Sequence, residues 1–161
     1  MFNIGDRVVY PMHGAGVIEA IEEREILGRR KQYYIMKLPI GDMQVMIPVD
    51  GVEEVGLREV ISQDDMERVL DVLGGERTSM STNWNRRYRA NAEKLRSGNI
   101  FEVAEVVRNL TLREREKGLS TGERKMLDNA KQILVSEVVL ARDMAEADAQ
   151  GLLEQAIGAG S

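Results

Sequence analysis

The hydrophobic pattern of this chain changes period once, near Leu57, and that break constrains the fold more than any other feature. Before it, apolar residues come in short runs separated by glycine and proline. Asp6 to Tyr10 ends at Pro11, and Met12-His13-Gly14-Ala15-Gly16 reads as a glycine-punctuated turn. Val17, Ile18 and Ile21 start a second strand that continues towards Ile26. Leu27-Gly28-Arg29-Arg30 reads as a hairpin tip, and Gln32 to Leu38 returns with the strand formers Tyr33, Tyr34 and Ile35. Pro39-Ile40-Gly41-Asp42 turns the chain again before a run from Gln44 to Val49. Strands this short, with no helix-length segment between them, predict a small antiparallel barrel or curled sheet.

After Leu57 the spacing is helical. Ser62 with Asp65 fits a capping box before Met66, Val69, Leu70 and Leu73, and Gly74-Gly75 is the stop. Glu76 to Thr82 is a polar connector, and a second helix ends at Ser97-Gly98. Asn99 with Glu102 caps a third, whose Val103, Val106, Val107 and Leu110 form an apolar stripe up to Gly118. Ser120 with Glu123 caps a fourth, in which Met126, Leu127, Ala130, Ile133, Leu134 and Val138 keep helical spacing. A last amphipathic piece runs from about Ala145 to Ile157, and Gly158 to Ser161 is expected to fray. The fold class is therefore α+β: a β module over residues 1–56, then an all-α domain of about five helices over 57–161.

The stretch from Ser81 to Arg96 stands apart. It holds the only tryptophan, Trp84, and five basic residues (Arg86, Arg87, Arg89, Lys94 and Arg96) against one acid, Glu93. At helical spacing Trp84, Tyr88, Asn91 and Leu95 share one face, with Ala92 beside them, which is a reasonable core stripe. Yet Trp84 lies in the first turn, where side chains lean towards the N-terminus, so its ring can overhang the bundle. The arginines bracket it densely, and the N–H groups of a helix start suit a phosphate. The pattern leaves both readings open.

Other chemistry is sparse. With no cysteine there is neither a disulfide framework nor a thiol nucleophile. The single histidine, His13, has no nucleophile beside it and reads as structural. Gly14-Ala15-Gly16 is too short for a phosphate cradle and leads into a strand. Glu22-Glu23-Arg24-Glu25 reads as a solvated strand edge, because neighbours on a strand face opposite sides. Asp64-Asp65 is explained by a helix start. Most of the nine methionines read as core filler, with Met43 and Met46 as candidates for exposure. No enzyme activity, cofactor or metal is expected. The N-terminus lacks the pattern of a secretory signal, and no apolar run is long enough for a membrane span, so a cytoplasmic location is the default. A net charge of −5 argues against tight autonomous DNA binding, so any nucleic-acid contact must be local.

Three segments resemble signatures of the CarD (CdnL-type) bacterial transcription regulators. They are Gly5-Asp6-Arg7-Val8-Val9-Tyr10-Pro11-Met12-His13-Gly14-Ala15-Gly16, Asn83-Trp84-Asn85-Arg86-Arg87-Tyr88-Arg89-Ala90-Asn91 and Gly118-Leu119-Ser120-Thr121-Gly122-Glu123-Arg124-Lys125-Met126-Leu127. The resemblance covers nearly the whole chain. It implies an N-terminal module similar to the Tudor-like (SH3-like) RNA-polymerase-interaction domain of transcription-repair coupling factors, which docks on the polymerase β subunit. It implies a helical domain that meets promoter DNA at the upstream edge of the melted region and stabilises the open complex. By the same resemblance Trp84 matches the family's minor-groove wedge, and Arg86, Arg87 and Arg89 its basic contacts. Arg24 matches its polymerase-facing arginine, and Met46 stands where some members carry a second one. The implied protein is a monomer, nucleoid-associated through polymerase. A protein-interaction scaffold without DNA contact is the alternative reading.

Overall fold

The computed structural model describes residues 1–158, and of the expected frayed end only Gly158 falls within them; 159–161 lie outside. Five strands form one antiparallel sheet: β1 (Arg7–Tyr10), β2 (Gly14–Ile26), β3 (Arg29–Lys37), β4 (Gln44–Pro48) and β5 (Arg58–Glu59). Their order is β4-β3-β2-β1-β5. Among the described residues the strands make an antiparallel sheet whose ends are β4 and β5, with no pairing between those two.

Alternation along the strands builds two faces. Val8, Ile18, Tyr34, Met36 and Ile47 point to one side and form a small core, to which Phe2, Tyr10 and Val45 add. The cross-strand partners on the other side include Val9 with Ala15, Ala20 with Ile35, and Ile35 with Met46. A bulge between Ile18 and Ala20 carries the alternation through the middle of the long β2. Gly14, Ala15 and Gly16, expected in a turn, are instead the first residues of β2, paired with Tyr10, Val9 and Val8. The reason lies outside the sheet. At Gly14, with φ +107°, a Cβ would fall 2.7 Å from the Ser136 hydroxyl, so a glycine lets a helix lie against the strand start.

Six α-helices follow β4, one more than expected: α1 (Val52–Val55), α2 (Gln63–Leu73), α3 (Trp84–Arg96), α4 (Ile100–Lys117), α5 (Thr121–Arg142) and α6 (Glu146–Gly158). The additional helix, α1, is a single four-residue turn after a 3-10 turn at Val49–Gly51, too short to leave a periodic signal. The capping residues act as their types dictate. Ser62, Asn83, Asn99 and Ser120 each accept a backbone N–H of the first turn they precede. The helical core is built from Met66, Val69, Leu95, Val103, Val107, Leu110, Leu127, Leu134, Val138 and Leu153, all nearly inaccessible.

The sheet and the helices are joined by more than the chain. α5 packs on β2, where the Ala15 N–H donates to Ser136 Oγ at 2.8 Å. Arg58 on β5 makes a two-pronged pair with Glu137 of α5, at 2.9 and 2.8 Å, and Glu137 also accepts the Ile61 N–H at 3.0 Å. Glu137 is fully buried. Removing one partner of such a pair costs about 3–5 kcal/mol, because the other charge is left buried alone. Arg7 of β1 adds a hydrogen bond to the Leu140 carbonyl and an exposed pair with Asp143 at 2.7 Å.

Candidate functional site

Trp84 is the first residue of α3, just after its cap. Asn83 accepts the Arg86 N–H at 3.0 Å, and Ser81 Oγ accepts the Asn83 N–H at 3.1 Å, so the polar residues before the tryptophan are spent on fixing the helix start. The face read as a core stripe is buried at Asn91 and Leu95 and half-buried at Tyr88, but at Trp84 it runs out of the bundle, leaving the indole 41% exposed. Tyr88, one turn on, stacks against it with ring centroids 4.9 Å apart and planes 15° from parallel. The indole Nε1–H donates to Ser120 Oγ at 2.9 Å, across to the cap of α5.

The three arginines of this stretch part company. Arg86 and Arg89 are exposed and make no ion pair with any described residue. At about 100° per residue they lie about 160° and 140° from Trp84 on the helix circumference. They flank the tip rather than lining the tryptophan's own side. Arg87 departs from the expected backbone contact. It is 4% exposed, its guanidinium donating to both oxygens of Glu123 at 2.8 and 3.1 Å. Its remaining nitrogen donates to the Ser81 carbonyl at 3.1 Å and to that of Thr82 at 3.4 Å. A guanidinium so engaged cannot meet a phosphate; it fastens the connector before Trp84 to the start of α5.

Glu123 is the hub of this network. Hydrogen bonds from Arg87 hold its carboxyl below the ordinary carboxylate range, burial opposes them, and the Ser120 hydroxyl and the nearby Arg113 charge add to the lowering. The same hydrogen bond to Glu123 raises Arg87 above its already high value. Both groups are therefore charged at neutral pH. Ser120 and Glu123 were legible as a local capping box; that the same pair reaches Arg87 and Trp84, 36 residues away, was not.

A second candidate surface lies at the far end of the sheet. Arg24 is opposite Lys31 and Met46 opposite Ile35, and Lys31 and Ile35 differ by an even number along β3. Both side chains therefore project from one face. They are separated by about 13 Å along the strand and about 10 Å across it, with Glu22 and Tyr33 between. Arg24 Nε donates to Glu22 at 2.9 Å in a pair exposed on both sides, and Met46 is 38% exposed. His13 sits elsewhere, packed on Tyr10 with ring centroids 4.3 Å apart. Among the described residues no helix is long and apolar enough to cross a membrane.

Comparisons with known proteins cover most of the chain. A family model described as "CarD, C-terminal domain" matches residues 68–154, and one described as "CarD-like/TRCF RID domain" matches residues 2–61. The "Putative transcription factor YdeB" of Bacillus subtilis (strain 168) is 41% identical over 146 residues, which span 91% of this chain and 95% of the relative. Among solved structures, the solution NMR structure of the 72-residue N-terminal domain of Myxococcus xanthus CarD aligns at 32% identity with a TM-score of 0.33. That alignment covers 37% of this chain and 79% of that one.

Proposed function

The chain belongs to the CarD family, and from that premise we propose that it is a transcription regulator that docks on the RNA polymerase β subunit and presents Trp84 to promoter DNA. Residues 1–56 supply the docking module, with Arg24 and Met46 on its contact face. Residues 57–161 supply the DNA-contacting part, with Trp84 as a minor-groove wedge at the upstream edge of the melted region and Arg86 and Arg89 as grips on phosphates. One copy of the chain suffices for both contacts. The observation that carries this reading is the 41% exposed indole at the open end of α3, on a stripe that is half-buried at Tyr88 and buried at Asn91 and Leu95.

The charge balance fits a tethered mechanism. A chain of net charge −5 gains little from free DNA, but a second site raises the local concentration of the first to about millimolar. Polymerase supplies the address, so the DNA contact needs no base readout, and phosphate contacts are sequence-tolerant. A wedge side chain stabilises an unstacked step by on the order of a few kcal/mol. If the contact exists only when the strands are open, it favours the open complex by that differential affinity and no more.

Ultraviolet crosslinking of Trp84 to promoter DNA tests the proposal. The expected result is a crosslink at the upstream edge of the bubble that requires polymerase. A crosslink of equal yield on free DNA, or none with polymerase present, contradicts it.

A further inference from the structure

The indole of Trp84 is held on three sides by groups that neither the capping pattern nor the apolar stripe assigns to it. Tyr88 covers one ring face. Ser120 Oγ takes the Nε1–H. Gly122, in the first turn of α5, lies against the benzenoid edge: a Cβ there would stand 3.4 Å from Trp84 Cζ2, 3.8 Å from Cη2 and 3.7 Å from Tyr88 Cε2. A methyl group there would already stand in van der Waals contact with both rings.

Ser120 is itself fixed. Its oxygen accepts the Trp84 Nε1–H at 2.9 Å and the Glu123 N–H at 3.2 Å, and its hydroxyl donates to Glu123 Oε1 at 3.2 Å. One donor and two acceptor positions are then all occupied, which is the full capacity of a hydroxyl. Glu123 is anchored by the buried Arg87, and Arg87 holds the carbonyls of Ser81 and Thr82 just before Trp84. The chain of contacts closes on itself: connector, Arg87, Glu123, Ser120, indole.

We propose that Ser120 and Gly122 are positioning residues for Trp84, with the buried Arg87–Glu123 pair setting the hydroxyl, so that the wedge is oriented before DNA arrives. This rests on the wedge reading above. Its consequence is that a contact requiring a flat ring at one angle loses little side-chain freedom on binding, because that freedom is already restricted in the free protein.

The single tryptophan makes the orientation directly readable. Full-length wild type, Ser120→Ala, Ser120→Thr and Gly122→Val are compared by acrylamide quenching of tryptophan emission, and these four together with Trp84→Ala by thermal melting and open-complex lifetime with polymerase. Ser120→Ala also removes the cap of α5, whereas Gly122→Val leaves it and puts a better helix former in place of glycine, so the two variants separate lost fold from lost orientation. In both, quenching should rise towards that of a free indole, about twofold for a ring now 41% exposed. Lifetime should fall in both, in Ser120→Ala on the order of fivefold, the worth of one net hydrogen bond. Ser120→Thr, which keeps the hydroxyl, should restore both readouts. Unchanged quenching in Ser120→Ala and Gly122→Val overturns the positioning role. So does a wild-type lifetime in both alongside a shortened one for Trp84→Ala. Should Trp84→Ala itself leave the lifetime unchanged, the wedge reading falls, and quenching alone then decides whether these residues orient the ring.

Discussion

At the tip of α3, one exposed ring is held by a stacked tyrosine, a saturated hydroxyl and an ion pair at most 4% exposed. At the far end of the sheet, Arg24 and Met46 stand on an open face whose ion pairs, such as Glu22–Arg24 and Lys31–Asp50, are exposed on both partners. The difference separates two ways of building a contact. The tip is a fixed shape whose integrity belongs to the fold, so changes behind it cost stability. The sheet face is a set of solvated groups on a rigid strand pair, so changes there leave the fold alone and alter only what the face can meet.

Substitutions can break that contrast. The largest expected effect is from Glu123→Ala, which leaves the buried Arg87 without a counter-charge: chemical denaturation should show a loss of about 3–5 kcal/mol. A loss below about 1 kcal/mol would mean that the tip is no better anchored than a surface pair. Next is Trp84→Ala. It removes a stacked pair and a hydrogen bond at a site already 41% exposed, so the same measurement should register about 1 kcal/mol. A collapse of folding would return the tryptophan to the core.

The pH dependence sharpens the comparison further. The carboxyl of Glu123 is depressed in the folded protein, so its contribution is complete above the ordinary glutamate value of about 4.3 and is lost as pH falls from there through the lowered folded value. Below about pH 4.3 the stability of wild type should therefore decline more steeply than that of Glu123→Gln. Equal slopes would indicate that Glu123 gains nothing from Arg87. The smallest effect is expected from Arg24→Ala, which should shift stability by less than about 0.5 kcal/mol while weakening capture of the polymerase β subunit. A large loss of stability there would erase the contrast from the other side.

Much of this was legible in the sequence for local reasons. The caps Ser62, Asn83, Asn99 and Ser120 each act within three residues of themselves, so short-range pattern finds them. The hairpin at Leu27-Gly28 is equally local. The stripe from Trp84 to Leu95 was visible as a face, but spacing does not say where along a helix its neighbours stop. That depends on α5 crossing near Ser120 and Gly122. Arg87 differs from the expected backbone contact because a dense run of arginines carries no sign of which one meets a carboxylate 36 residues further on. β5 escaped notice because two residues have no period, and the start of β2 because glycines that admit Ser136 look like glycines in a turn.

Trp84, fixed from behind and delivered by polymerase, is proposed to hold the promoter open. The lifetime of the open complex on a linear promoter, challenged with competitor, tests it most directly when wild type is compared with Trp84→Ala at saturating concentrations of each. A wedge worth a few kcal/mol should leave the variant complex shorter-lived by at least about tenfold, with polymerase binding intact. A variant that binds polymerase and sustains the wild-type lifetime would contradict it.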